Sequence, residues 1–185
     1  VEKTYTGFTL DKTVEGTKDS GTITGDGSLV LKLYYTRNSY KVTYIYEGTV
    51  PAGASDLPAE ATHEYGESVT LADAATAPGY TFYGWNTADA EVTGNTFGMP
   101  AGDVVFTGSF EARTDTGYKT EYYLEELDGS YRLEETVPGS GKTDTEVKAV
   151  EKAYTGFTLD KTVEGTKDSG TITGDGSLVL KLYYT

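Results

Sequence analysis

The chain has 185 residues, 24% charged and 12% aromatic, with 16 Tyr, 23 Gly, no Cys and a net charge of −14. That charge repels a phosphate backbone and argues against nucleic acid as a partner; the absence of Cys excludes disulfides, thiolate metal sites and thiol nucleophiles. No apolar run approaches the roughly 20 residues of a membrane helix, and no signal peptide stands in this window.

Self-similarity dominates the sequence. Val1 to Thr36 returns at Val150 to Thr185, the only difference being Thr4 against Ala153. Near-identity over such a length implies recent duplication, because separate copies accumulate neutral surface changes. The period exceeds the roughly 20 to 50 residues of a solenoid unit and fits one or two globular domains per repeat. Abundant Tyr, Thr and Gly favour strands joined by tight turns.

After the first copy, Tyr40, Val42, Tyr44 and Tyr46 alternate with Lys41, Thr43, Ile45 and Glu47, the period-2 pattern of a half-buried strand. A loop over 50–58 precedes a short polar strand near Thr62 to Tyr65, and Gly66 turns the chain into Ser68 to Leu71. In Gly79 to Trp85 (GYTFYGW), Tyr80, Phe82 and Trp85 are candidate core side chains. Phe97-Gly98-Met99-Pro100 and a strand from Val104 to Phe110 close the segment. GYTFYGW followed by FGMPAGDVVFTGSFEA (Phe97 to Ala112) resembles the B-repeat of internalin-type bacterial surface proteins, a Listeria–Bacteroides repeat-like module. The resemblance covers about Asn38 to Arg113. It implies a small β-grasp-like sheet strung along an extended surface protein.

Next, Tyr118, Thr120, Tyr122 and Leu124 alternate with Lys119, Glu121, Tyr123 and Glu125. Asp128-Gly129 predicts a hairpin turn into a return strand, Tyr131 to Val137. Thr143 and Glu146 have capping-box spacing, which predicts a short helix through about Lys152, left at Gly156 and Phe157. A second hairpin is expected between Thr171 to Thr173 and Leu178 to Tyr184 across Asp175-Gly176. The layout from about Thr114 to Thr185 is similar to MucBP-type domains, which implies a ubiquitin-like β-grasp module of cell-wall proteins.

The expected architecture is therefore mainly β (α+β, β-grasp modules with one short helix), as an elongated array. Residues 1–36 form the C-terminal half of an incomplete MucBP-like repeat, 37–113 a B-repeat-like domain and 114–185 a MucBP-like domain. The half-repeat lacks counterparts of Thr114 to Ala149. It is expected to expose apolar groups such as Leu29 and Leu31, and to borrow strands or pack abnormally.

Chemistry has few footholds. Gly139 to Thr143 (GSGKT) imitates the end of a phosphate-binding loop, but the full pattern needs Gly at Thr136; Thr143 as a helix cap explains the same residues. His63, the only histidine, adjoins Glu64, yet neighbours on a strand point to opposite faces. The acidic run Glu125, Glu126, Asp128, Glu134 and Glu135 does not match a Ca²⁺-loop spacing and reads as a solvated hairpin face. Gln is absent and Asn occurs only at 38, 86 and 95, which excludes Thr–Gln esters and disfavours Lys–Asn isopeptide bonds; a Lys–Asp bond stays open. No residue is assigned a catalytic, cofactor-binding or metal role, and binding residues are not identified. No cofactor is expected.

The expected function is a non-enzymatic stalk on the outer, cell-wall-anchored surface of a bacterium, its anchor outside this window, projecting a distal binding domain. Neighbouring repeats are the expected partners. The alternative is a mucin- or glycan-binding module, with host or bacterial glycans or proteins as partners and its tyrosines as sugar platforms. Neither reading involves nucleic acid or membrane insertion in this window.

Overall fold

The computed structural model describes residues 2–185, and among them every regular element is a strand. In chain order the strands begin with β1 (Phe8–Leu10), β2 (Tyr35–Arg37), β3 (Ser39–Tyr46), β4 (Ala61–Glu64), β5 (Ser68–Thr70), β6 (Tyr80–Asn86) and β7 (Val92–Thr93). They continue with β8 (Thr96–Gly98), β9 (Val104–Ala112), β10 (Thr116–Glu125), β11 (Tyr131–Gly141), β12 (Glu146–Lys148), β13 (Ser169–Thr171) and β14 (Val179–Tyr184). The chain divides into two compact units.

The first unit comprises the chain up to Glu47, Leu57–Ala74 and Gly84–Gly108. Here β3 is the organising strand: it pairs antiparallel with β4 and parallel with β9, Val42 facing Val104 and Tyr46 facing Gly108. Its alternation places Val42 and Tyr44 inward; Tyr44 meets Trp85 edge-on, and Trp85, Phe97, Met99 and Phe106 are all buried. Tyr44 stacks on Phe106 with ring centroids 5.2 Å apart, a favoured separation for aromatic pairs. The Trp85 indole donates to the Asp73 carbonyl at 2.9 Å, so its one polar atom is not stranded. Gly66, in the left-handed region at φ 76°, makes the turn between β4 and β5. Residues 8–10 and 35–37 form the β1–β2 ladder, Phe8 opposite Arg37.

The second unit comprises Gly48–Asp56, Ala75–Tyr83 and Ser109–Thr185. Its main sheet has the order β11-β10-β14. β10 and β11 form the expected hairpin, closed by Glu126 N–H to the Ser130 carbonyl at 2.7 Å with Gly129 at φ 82°. β11 runs on to Gly141, past the expected end at Val137, and carries Pro138 on the sheet edge, where a missing N–H costs no ladder bond. Thr120, Tyr122 and Leu124 of β10 and Leu180, Leu182 and Tyr184 of β14 are buried.

Three expectations are corrected here. The helix over 143–152 does not form; its centre is β12, antiparallel to β13 with Val147 opposite Gly170. A capping box is a local signal, and so short a segment containing Thr and Val holds little helix without support. The Thr143 hydroxyl is used elsewhere, and Asp144 at φ 62° leaves helical geometry at once. With no helix among the described residues, the β-grasp expectation is not supported either. The second hairpin is also different. The Asp175-Gly176 turn exists, with Gly176 N–H on the Thr173 carbonyl at 2.9 Å, but β13 pairs with β12 and β14 with β10.

Candidate functional site

Two features stand out. The first is a pair of parallel ladders. In the first unit β3 and β9 run side by side through residues 42–46 and 104–108. In the second, β10 and β14 do so through 119–124 and 179–184. The chain enters each ladder at the start of one strand and leaves at the end of its parallel neighbour. Opposite forces on those two points drive the strands past one another, so the ladder hydrogen bonds resist together.

The second feature is the outward face of the β11-β10-β14 sheet. Strand alternation that buries Tyr122 and Tyr184 sends Tyr123 and Tyr183 to the other side, where they stack at 4.8 Å. Tyr131 meets Tyr183 edge-on at 5.0 Å, and Lys181 lies over Tyr123 at 5.7 Å. All three tyrosines are half-buried. The Tyr123 hydroxyl donates to Glu121 at 2.6 Å, and that bond, with some burial, raises its pKa.

Beneath the opposite end of this sheet lies a buried hydroxyl pair. Thr143 Oγ1 donates to the Gly79 carbonyl at 2.8 Å and lies 2.7 Å from Thr116 Oγ1. Around it, Arg113 N–H bonds Gly79 O and Thr143 N–H bonds Arg113 O, both at 2.9 Å. Gly174 approaches so closely that a Cβ there would stand 2.0 Å from the Pro78 carbonyl oxygen. Thr143 is thus neither a phosphate ligand nor a helix cap. Gly139 and Gly141 are strand residues under the Tyr118 ring and the Ile172 side chain. Nothing in the sequence announces the Gly174 approach, since backbone packed this tightly leaves no signature beyond a glycine among many.

The other candidates resolve into ordinary pairings. His63 Nδ1 is 2.9 Å from Glu67, not Glu64, and its hydrogen bond lowers the Glu67 pKa. Glu126 and Glu134 both pair with Arg132, Glu135 with Lys152 and Tyr154, and Asp128 with Ser130. Among the described residues no group of three or more His, Cys, Asp or Glu is placed to hold a metal. Lys161 stands 3.2 Å from Asp168 and its counterpart Lys12 3.5 Å from Asp19, but these side chains are about half exposed (50%/48% and 52%/49%), in water rather than beside a buried acid. The cleft bounded by Thr81, Tyr83, Glu111, Arg113 and Asp115 has its charges already satisfied: Tyr83 donates to Glu111, and Arg113 forks onto Asp115 at 2.9 and 3.0 Å.

With duplication in the sequence and small sheets in the structure, the chain is a tandem-repeat protein built of small β modules. Residues 40–108 match the Listeria-Bacteroides repeat domain. No curated protein matches the chain. Among solved structures it is similar to Streptococcal High Identity Repeats in Tandem (SHIRT) domains 3-4 from a cell surface protein. That likeness covers 79% of this chain and 98% of the other at 20% identity, with a TM-score of 0.30, too low to carry a fold across.

Proposed function

We propose that this chain is a load-bearing spacer in a repeat stalk on the outer surface of a bacterium, made of a half module (1–36), a Listeria–Bacteroides repeat-like module (37–113) and a MucBP-like module (114–185). The observation that carries the reading is the parallel pairing of β3 with β9 and of β10 with β14. A chain pulled through such modules loads each ladder in shear. The duplication supports it as well, because a spacer lengthens by adding units that fold locally. An enzyme would need convergent nucleophile, base and oxyanion donors, and the polar clusters described above pair among themselves instead.

Pulling the chain from both ends in a single-molecule force experiment tests this. Two resolved force peaks are expected, each releasing about 230–270 Å of chain at ~3.3–3.6 Å per residue. Unfolding without a resolved peak would remove the load-bearing reading.

One observation favours a second reading, a glycan-binding module: the half-buried Tyr123, Tyr131 and Tyr183 form a stacked aromatic face of the kind that sugars pack against. Saturable binding on a glycan array that is lost on Tyr183→Ala would support it; silence across the array would leave the spacer alone.

A further inference from the structure

The duplicated sequence occurs in two unlike environments. In the second copy Ile172 and Leu180 are 0% exposed; their counterparts Ile23 and Leu31 are 86% and 50% exposed. The local frame is nevertheless the same. Lys18 and Lys32 exchange backbone bonds at 2.9 Å, as Lys167 and Lys181 do at 2.8–2.9 Å. Asp11 N–H bonds Tyr34 O as Asp160 N–H bonds Tyr183 O, each at 2.9 Å. What the first copy lacks is its pairing partners: β14 lies along β10 and β13 along β12, whereas residues 30–34 and 20–22 form no strand.

We propose that the exposed face of residues 1–36 is a docking site for a polypeptide with the sequence of residues 114–149. Its first strand adds parallel to residues 30–35 in the register Lys119 opposite Val30 through Leu124 opposite Tyr35, the register of the second copy displaced by one repeat. Its Glu146–Lys148 pairs antiparallel with residues 20–22. Ile23 and Leu31 then enter an apolar cluster like the one that Ile172, Leu178 and Leu180 make with Tyr118 and Val147. The occupant is an additional such segment rather than a second copy of the whole chain. Residues 1–185 hold one donor segment and two acceptors, so exchange between two copies of this stretch satisfies one face only by emptying another. Docking does not depend on the stalk reading; force measures the one and amide protection the other.

Two arms test it by amide hydrogen exchange. In the first, the free polypeptide 114–149 is added to the intact chain. In the second, the same segment is fused directly before Val1, recreating the Ala149–Val150 junction. Exchange at Leu31 and Leu33 is expected to slow by on the order of 100-fold or more, approaching Leu180 and Leu182. Leu31→Asp, at a half-exposed position, should abolish that protection while leaving Leu180 unchanged. Unaltered exchange at Leu31 in the fused chain overturns the proposal, as does concentration-dependent dimerisation of the unfused chain accompanied by the same protection.

Discussion

Gly174 and Gly25 are the same residue in the two copies, yet only Gly174 sits against another backbone. A Cβ at Gly174 would stand 2.0 Å from Pro78 O, whereas one at Gly25 meets nothing within 4 Å. Neither has the positive φ that would strain an Ala, so the contrast is steric alone. Gly174→Ala should cost about 1–3 kcal/mol, the usual penalty of overpacking, and Gly25→Ala less than about 0.5 kcal/mol; denaturation midpoints of the two variants measure it. The turn aspartates behave oppositely, alike in both copies. Asp26 and Asp175 are each held at about 2, below the ordinary 3.8, by the hydroxyl of the Thr two residues earlier and by the backbone N–H of the Ser two residues later. A depressed carboxylate contributes its stabilisation above the unfolded value and loses it as pH falls through the folded one, here between about pH 4 and 2. Carboxyl titration by NMR should give midpoints near 2 at both sites. A midpoint near 3.8 at Asp26 alone would mean that the first turn does not form.

At the scale of elements, Ile172 and Ile23 separate intrinsic preference from packing. Ile172→Ala removes a fully buried side chain from its cluster with Leu178 and Leu180 and should cost about 2–5 kcal/mol. Ile23→Ala, on the water side of the first copy, should stay within about 0.5 kcal/mol. Equal losses in thermal unfolding would show that the two faces are buried alike. The same contrast explains what could be read in advance. β3 and β10 were legible because alternation of Tyr, Val and Leu with polar residues reports which face is buried. β12 was not, because a Thr-x-x-Glu spacing speaks only for its own turn while Val147 answers to β13. Nor was the separation of β13 from β14: the Asp-Gly turn is genuine, and nothing in its chemistry says that the flanking segments go to different partners. The tyrosine face follows from the alternation of β10; the close approach of Gly174 to Pro78 and Gly79 does not follow from any pattern.

For the whole molecule, identical sequences make proteolysis an internal comparison. Trypsin meets the same residues around Lys18 and Lys32 as around Lys167 and Lys181, so differences in cleavage report structure alone. The first pair should be cut before the second, by on the order of tenfold or more in rate, since local opening is easiest where strand pairing and apolar packing are sparsest. Equal rates, read by mass spectrometry of the fragments, would contradict an unpartnered first copy. Within residues 1–185 the strands that pair with the second copy, β10 and β12, lie in the segment just before it, so the repeat itself points to where the two copies differ.

Synthesis makes that duplication a matter of timing. Residues 114–149 leave the ribosome after the first copy and before the second. At ~5–20 residues per second, the 36 residues of the second copy take about 2–7 s to follow. During that interval the earlier copy is the acceptor already synthesised within residues 1–185, so, with the docking proposed above, the final arrangement is reached through a competition between two chemically equivalent suitors, decided by tethering and order of arrival rather than by sequence.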